Sequence, residues 1–502
     1  MTPLAVADVG LQVAIVVGYL LVALAVGLFA YRLTDRTAED YYLASRSIGT
    51  VVLLFTTFAT LLSAFTFFAG PNIAYGNGPE WILVMGLMDG VVFGALWYVV
   101  GYKQWLVGRR HGYLTLGEML GDRFGSTRLR ALVAGVSLFW LFPYVMLQQV
   151  GAGTALEALT GGAVPYWAGA GLVTVFMVAY VVLSGMRGVA WTDTLQGLFM
   201  LTMVWAAFVW VLAAVGGPTA ATAKLAEVDP EFLALGGGVY SPQWMLSTAL
   251  GIALGVTMFP QVNQRFFVAK SEKVLKRSFS LWPVLVLLLF VPAFMLGAWA
   301  KGLGVEMQSG RILPGLLAAY TPGWFAALVI AGALAAMMSS SDSMLLSGSS
   351  YFTRDLYRPL VGEDVSERRE DLLGRVGVAV FATLAFVASL YNPATLFTIG
   401  DTAFGGFAQL ALPVAVALYW GRTTRAGMFA GIGVSQAFYL LTVFAPPVSV
   451  GGVPVLAGAY WGWSNSVVGV LLGLVLTVGV SLATDAAPEE ERSVYFEGLR
   501  AD

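Results

Sequence analysis

The residues with the most evident chemistry lie together inside a long apolar run near position 340. One acidic residue, Asp342, is surrounded there by serines. At helical spacing, the oxygens of this stretch fall on one face, through Ala336, Ser339, Ser340, Ser343 and Ser347. Ionised and hydroxyl groups at membrane depth are costly and normally face a protein interior, a cavity or an ion path. This serine stripe, with Asp342 beside it, therefore predicts a cation site.

The composition is that of a chain surrounded by lipid. Of 502 residues, 58% are hydrophobic and 11% are charged, and the net charge of -2 argues against a nucleic-acid partner. Thiolate chemistry is excluded because the chain has no Cys. A histidine zinc site or proton relay is disfavoured because the single histidine, His111, lies in a basic loop. We expect no bound cofactor.

Thirteen apolar segments are long enough to cross a bilayer as helices of about 20 residues. The first is expected to be a retained helix, because no basic leader precedes it. The predicted spans are 11–32, 49–73, 81–101, 131–157, 165–185, 193–215, 243–263, 279–300, 314–349, 374–391, 394–420, 426–445 and 463–483.

The basic residues predict the orientation. If the N-terminus is outside the cell, all of the 27 Lys and Arg residues fall in cytoplasmic segments except Lys224, Lys301 and Arg311. An odd number of spans then places the C-terminus inside. We expect a multi-pass protein of the cell membrane, with no soluble catalytic domain.

Two spans contain helix-breaking residues next to polar ones. The second span passes Ser63 and reaches Gly70 and Pro71, and the seventh contains Gly255 and Pro260. Non-helical backbone at membrane depth is tolerated where it lines a cavity, and broken helices at corresponding positions of two halves indicate a transporter's binding site. The two broken spans are five apart, which predicts two inverted five-helix repeats.

The serine stripe could bind sodium together with the second span. Sodium prefers several oxygen ligands, and carbonyls near Ala59 and Leu62 could supply them beside the hydroxyls of Ser339 and Ser340. The alternative is that the serines only allow close packing and bond to the preceding turn. Four serines and an aspartate within five positions favour the ion site.

Five stretches resemble the motifs of the sodium:solute symporter family, in the family's order. They are Glu39–Ala44 with Arg46, Trp191–Asp193 with Gln196, Gln264–Arg265 with Ala269–Ser271, Met338–Ser343 with Arg354–Tyr357, and Tyr419–Trp420 with Arg422, Arg425 and Gly427. The resemblance implies an all-α, leucine-transporter-type fold with one helix before the ten-helix core and two after it. It also implies sodium-coupled solute uptake and not an enzyme.

The resemblance and the spans together divide the chain into five parts. Residues 1–47 are expected to form the extra N-terminal helix and a cytoplasmic loop, and 48–215 the first repeat. Residues 216–422 form the second repeat, 423–484 two C-terminal helices, and 485–502 a cytoplasmic tail.

The resemblance also implies the sodium ligands. By position, these are the carbonyls of Ala59, Leu62 and Ala336 and the hydroxyls of Ser339 and Ser340.

Some similar family members bind a second sodium ion, which here would involve Asp193, Asp342 and Ser343. Asp342 stands where those members have a hydroxyl, so it could strengthen a cation site or take up a proton. The alternative for Asp193 is a helix N-terminal cap.

The solute pocket is expected beside the two broken helices. Tyr144 and Gln148 lie one turn apart on the same face of the fourth span, as a pocket wall requires. The full predicted set is Phe65, Thr66, Asp89, Tyr144, Gln148, Gln261 and Gln409.

The Pro143–Tyr144 and Gln148 pattern, with Phe404–Gln409, resembles the proline, pantothenate and monocarboxylate branches. We expect a small organic anion such as acetate or pyruvate, with proline or pantothenate as alternatives. An intramembrane enzyme is disfavoured because no His or Lys is placed to activate Ser343 beside Asp342. A solute sensor with a separate signalling partner is the alternative of another class. The expected partners are sodium, the solute and the lipid bilayer, and a monomer should suffice for transport.

Overall fold

The computed structural model describes residues 9–32, 38–234, 236–306, 311–362, 366–391, 394–450 and 452–486. These ranges are almost entirely helical, with two short hairpins near the C-terminal end. Most of the predicted tail, residues 487–502, lies outside the described residues.

The helices of the first half differ widely in length. In chain order they are α1 (Val9–Tyr31), α2 (Ala38–Leu43), α3 (Thr50–Leu61), α4 (Phe65–Asn77), α5 (Leu83–His111), α6 (Leu116–Arg123), α7 (Thr127–Leu159), α8 (Tyr166–Leu183) and α9 (Gly185–Val215).

The second half also consists of helices of different lengths and contains, in addition, the two hairpins. It contains α10 (Pro218–Val228), α11 (Pro242–Thr257), α12 (Pro260–Val268), α13 (Glu272–Gly302), α14 (Ile312–Tyr320), α15 (Gly323–Val361), α16 (Glu367–Ser389), α17 (Leu396–Tyr419), α18 (Arg425–Phe444), β1 (Val448–Val450), β2 (Val453–Leu456), β3 (Ala459–Tyr460), β4 (Trp463–Ser464) and α19 (Asn465–Ala483). The strands pair as β1 with β2 and β3 with β4, both antiparallel.

The number of spans agrees with the sequence prediction. Among the described residues, 11 helices are long and apolar enough to cross a membrane, and two bent pairs raise the number to 13. The bent pairs are α3 with α4 and α11 with α12, which turn by 60° and 57°. They are the second and seventh predicted spans, so both predicted breaks are confirmed.

The predicted ninth span, 314–349, is wrong at both ends. Residues 312–320 form the separate helix α14, and α15 begins only at Gly323 and continues to Val361. Pro322 explains the interruption, because proline pushes the preceding residue out of the helical region and offers no N–H for a continuing helix. Thr321 accordingly has extended backbone angles, φ -133 and ψ 154.

Helix α15 lies at the centre of the bundle. Every residue from Val329 to Ser350 is buried, and the helix packs on α1, α3, α7, α9 and α16. No part of the serine stripe therefore faces lipid, which confirms that its polar groups are enclosed by protein.

A glycine separates α8 from α9. Gly185 has φ 57 and ψ -153, a combination accessible almost only to glycine. A Cβ atom there would lie 2.7 Å from the carbonyl oxygen of Tyr41, so the position also permits close contact with α2.

We predict that Gly185→Ala lowers the free energy of unfolding by about 1–3 kcal/mol, from backbone strain alone. Gly135→Ala is the matched control, because a Cβ at this position in α7 meets no atom within 4 Å. Thermal unfolding in detergent should show a lower Tm only for Gly185→Ala. Equal Tm values for the two variants would contradict the strain argument.

Candidate cation sites and central cavity

The break between α3 and α4 frees two carbonyl oxygens. Leu62 is extended (φ -86, ψ 124), and the amides that would continue the helix bond elsewhere. The N–H of Ser63 donates to the Thr66 hydroxyl (3.5 Å), and the N–H of Thr66 donates to the Ser63 carbonyl (3.0 Å). The carbonyls of Ala59 and Leu62 are thus left without their helical partners.

Side chains hold the break in this form. The Ser63 hydroxyl accepts a hydrogen bond from the N–H of Phe65 (3.2 Å). The Gln148 side-chain oxygen accepts one from the N–H of Ala64 (2.8 Å). A serine that bonds to nearby backbone competes with the regular helix, which explains why the chain breaks at this position.

The first candidate cation site forms where the serine stripe meets this break. The Ser339 hydroxyl donates to the carbonyls of Ala59 (2.8 Å) and Ala336 (3.0 Å). The Ser340 hydroxyl donates to the carbonyl of Leu62 (2.8 Å). The structure therefore brings together all five residues of the predicted sodium site, and each is almost completely buried.

This donor set suits a hard monovalent cation. It consists of neutral oxygens in mutual contact, and the two hydroxyls can rotate to present lone pairs. A neutral set avoids the cost of a buried, unpaired carboxylate when no ion is bound. Among the described residues no group of three or more His, Cys, Asp or Glu could hold a metal ion.

The second candidate site contains a basic side chain. Asp193 Oδ2 accepts hydrogen bonds from Arg265 Nη2 (3.1 Å) and from the hydroxyl of Thr56 (2.6 Å). Arg265 Nη2 also donates to the Ser343 hydroxyl (2.5 Å), which in turn contacts Thr60 Oγ1 (2.9 Å). A guanidinium group thus lies between Asp193 and Ser343, where the sequence predicts a second cation.

Sequence reasoning missed Arg265, which it placed in a cytoplasmic segment. The side chain is only 1% exposed. Arg265 lies two positions beyond the predicted end of the seventh span and within one of the stretches that resemble the family's motifs. A basic residue so close to a broken span is a signal that could have identified it, because charged groups at membrane depth are normally paired and functional. The capping alternative for Asp193 is not observed, since this residue lies inside α9.

Asp342 faces a different neighbour. Its Oδ2 accepts a hydrogen bond from the Tyr180 hydroxyl of α8, whereas Oδ1 has no hydrogen-bond partner among the described residues. Asp342 is fully buried and interacts electrostatically with both Asp193 and Arg265. Two carboxylates and one guanidinium leave this cluster with one uncompensated negative charge when both carboxylates are ionised.

A small cavity lies on the other side of the break. Its volume is about 40 Å³, which is space for a few water molecules. The polar side chains on its wall are Ser63, Thr66, Asp89 and Tyr144, together with Trp282, whose indole N–H has no hydrogen-bond partner among the described residues. The rest of the lining is aliphatic or aromatic. Leu62 lines the cavity and also contributes its carbonyl to the first cation site, so the two sites share the same turn of backbone.

Four of the seven predicted pocket residues line this cavity: Phe65, Thr66, Asp89 and Tyr144. The side-chain oxygen of Gln148 accepts from the N–H of Ala64 at the break, and its Nε2 donates to the Tyr144 carbonyl (3.1 Å). Gln409 Nε2 bonds to the carbonyls of Gly405 (2.8 Å) and Ser466 (3.1 Å). Gln261 is buried, with no hydrogen-bond partner for its amide among the described residues, but it is not part of the cavity wall.

A second, larger cavity of about 220 Å³ contains Asp401. Aromatic side chains separate the two spaces, since Phe397 of the larger cavity stacks on Phe65 of the smaller one at 5.7 Å between ring centroids. Asp401 therefore does not belong to the central cavity.

A model of the sodium:solute symporter family matches residues 41–434. The chain belongs to this family. It is thus a sodium-coupled transporter and not an enzyme, with the multi-pass membrane location that its spans require.

Relatives with different solutes match over most of their length. The chain is 28% identical to the sodium/pantothenate symporter of Escherichia coli (strain K12), covering 84% of this chain and 88% of that protein. It is 28% identical to the high-affinity proline transporter PutP of Bacillus subtilis (83% and 89% covered). It is 26% identical to a monocarboxylate transport permease protein of Rhizobium johnstonii (79% and 81% covered).

Solved structures of transporters share the fold. A substrate-bound, outward-open Na+-coupled sialic acid symporter superposes with a TM-score of 0.79 at 21% identity, covering 95% of this chain and 99% of that one. MhsT in complex with L-phenylalanine superposes with a TM-score of 0.55 at 13% identity (86% and 98% covered). The leucine-transporter-type fold expected from the sequence is confirmed.

We predict that Arg265→Gln lowers the free energy of unfolding by about 3–5 kcal/mol, because it leaves Asp193 buried without its cation. Asp193→Asn in the same chain should recover at least half of that loss, as measured by thermal unfolding in detergent. If the two substitutions instead destabilise additively, the guanidinium and the carboxylate do not form the proposed pair.

Proposed function

We propose that this symporter couples sodium entry to uptake of a small organic solute that carries a carboxylate. The observation that carries the proposal is the shared break. Leu62 contributes a carbonyl to the Ser340 hydroxyl and also lines the cavity. Binding of an ion on one side of this backbone can therefore fix the shape of the pocket on the other.

The carboxylate is supported by the polar groups at the break. Helix α4 begins beside the cavity, and the partial positive charge of a helix N-terminus favours an anion. The hydroxyls of Ser63, Thr66 and Tyr144 line the cavity, and those of Ser63 and Tyr144 are 3.1 Å apart, so that one of this pair can donate to the other while the second donates to a solute. Half-helix N-termini play this role for anionic substrate groups in transporters with broken helices.

All solute classes suggested by the sequence have this group in common. Acetate and pyruvate, which the sequence favours, carry a carboxylate, and so do the alternatives proline and pantothenate. The relatives described above, a pantothenate symporter, a proline transporter and a monocarboxylate permease, cover the same range of solutes. No described feature favours the sensor alternative.

In the proposed cycle, sodium bound at Ser339 and Ser340 joins α15 to the break in α3. When the ion binds, all five oxygens coordinate it in place of the hydroxyl-to-carbonyl hydrogen bonds. Loss of the ion leaves only the hydroxyl-to-carbonyl hydrogen bonds between the break and α15, which can be broken when α3 moves relative to α15, as alternating access requires. We propose that the N-terminus lies outside, that the C-terminus lies inside, and that one copy of the chain completes the cycle.

We further propose that the cluster around Asp342 takes up a second coupling cation, either a proton or sodium. The charges that face Asp342 are Arg265 of α12 and Asp193 of α9, and its titratable neighbours are Tyr180 of α8 and Tyr19 of α1. With Arg265 already held by Asp193, one positive charge is missing while both carboxylates are ionised. An ionised, unpaired carboxylate at this depth is strongly disfavoured.

We predict that Ser340→Ala raises the sodium concentration for half-maximal uptake at least tenfold, because one of the five oxygens is lost. Ser341→Ala is the matched control, since Ser341 is equally buried but contributes no ligand to the predicted site. Uptake into proteoliposomes against sodium concentration measures both. An unchanged sodium requirement in Ser340→Ala would remove this residue from the site.

We predict that Asp342→Asn abolishes the dependence of uptake on the second cation. If that cation is a proton, the rate of wild-type uptake should change by a factor on the order of ten between pH 5.5 and 8.5. The uptake rate of the variant should then not depend on pH. If it is sodium, the Hill coefficient for sodium falls to one in the variant. A variant that keeps both the pH profile and the Hill coefficient of the wild type would contradict the proposal.

A further inference from the structure

Asp89 is a buried carboxylate in the wall of the central cavity. It lies on α5, is 8% exposed, and its Oδ1 has no hydrogen-bond partner among the described residues. No ion pair of Asp89 occurs within the described part of the chain. Neither the sodium site nor the Asp193–Arg265 pair uses this group, so its role is separate from both.

The surroundings of Asp89 are apolar and aromatic. Met85 and Phe93, one turn before and after it, also line the cavity. Across from them on α13 are Trp282 and Phe290, and the rings of Phe93 and Trp282 are 5.3 Å apart. None of the residues that line the cavity is basic. The protein itself therefore supplies no positive charge to this carboxylate.

A carboxylate in such a place needs a positive partner or a proton. The cost of burying an unpaired ionised carboxylate amounts to several kcal/mol. Sodium needs several oxygen ligands, whereas Met85, Phe93 and Phe290 offer none, and the hydroxyls of Ser63 and Tyr144 already bond to each other at 3.1 Å. A positively charged nitrogen of an organic molecule fits these surroundings, because an ammonium group can bind both to a carboxylate and to the face of an aromatic ring.

We infer that the transported solute carries a positively charged nitrogen that binds Asp89. This inference rests on the proposed function, in which the same solute carries a carboxylate at the break. The solute is then a zwitterion of the amino-acid type. Of the candidates suggested by the sequence, proline has both groups, whereas acetate, pyruvate and pantothenate lack the charged nitrogen.

Different polar side chains of the cavity recognise the two charges of the solute. Ser63, Thr66 and Tyr144 donate to the carboxylate of the solute, and Asp89 accepts from its ammonium group. The small volume selects for a compact molecule, or requires aromatic side chains to move aside for a larger one. A simple monocarboxylate would leave Asp89 without a partner and place two negative charges in one apolar cavity.

The test uses a pair of solutes that differ only in the nitrogen. L-Proline and (S)-tetrahydrofuran-2-carboxylate have rings of the same size and the same carboxylate, but the second has an ether oxygen in place of the ammonium. Sodium-driven uptake into proteoliposomes is measured for this pair, for glycine betaine, and for acetate, pyruvate and pantothenate. We expect uptake to be confined to the molecules with a positive nitrogen, with at least a hundredfold preference for proline over its ether analogue.

Variants then assign the preference to Asp89. Asp89→Asn should reduce uptake of the preferred zwitterion at least tenfold, with an unchanged sodium concentration for half-maximal thermal stabilisation of the protein. Asp401→Asn, in the separate cavity, is the control and should leave uptake unchanged. If Asp89→Asn fails to fold, Asp89→Glu replaces it, and the comparison of proline with its analogue needs no variant.

Three outcomes would overturn the inference. Uptake of acetate, pyruvate or the ether analogue at a rate equal to that of any zwitterion would show that no charged nitrogen is needed. A higher sodium requirement in Asp89→Asn would show that Asp89 binds sodium instead. Absence of sodium-driven uptake for every solute would overturn the proposed function and the inference with it. Uptake of the anions without uptake of any zwitterion would overturn only the inference.

Discussion

The contact of two serine hydroxyls of α15 with the carbonyl oxygens of Ala59, in α3, and of Leu62, directly after α3, is the constraint on which the rest of the structure depends. The carbonyls of Ala59 and Leu62 are available because the backbone leaves the helix at Leu62. Buried carbonyls without partners are costly, so the break requires donors or a cation at this point. The hydroxyls of Ser339 and Ser340 meet that requirement at 2.8 Å. An ion that takes over the same oxygens would change the energy of the break directly.

The buried charged groups differ in whether the protein itself supplies a partner of opposite charge. Arg265 neutralises Asp193, and this pair joins α12 to α9 beside α15. Asp342 remains one charge short in the same region, which suits a group that gains and loses a cation during a cycle. Asp89 is apart from both, in the cavity, and its partner must come from the solute. Each unpaired carboxylate thus indicates a different visiting cation, because a permanent unpaired charge would destabilise the fold.

Much of the architecture follows from the sequence because membrane spans obey simple rules. Length and hydropathy predict the number of spans, although the bounds of the ninth are wrong. Gly255 and Pro260 flank the second break, whereas the first break lies beside Ser63 and not at Gly70 and Pro71, which are part of α4. The start of α15 was misjudged because hydropathy alone does not register Pro322. Helical spacing and the family resemblance predict that the five residues of the proposed sodium site lie together, and the structure places them in contact. The pairing of Asp193 with Arg265 could not be predicted. Arg265 lies near the end of a span, and the sequence there does not distinguish a side chain that faces water from one that faces the protein interior.

The central claim is that sodium binds where the serine stripe meets the break and thereby orders the cavity. Hydrogen–deuterium exchange of the solute-free protein, measured in sodium and in potassium at equal ionic strength, tests it directly. Sodium should slow amide exchange in peptides that cover residues 56–70 and 335–345, with little change in the hairpins β1 to β4. Equal exchange of both peptides in sodium and potassium would contradict the account.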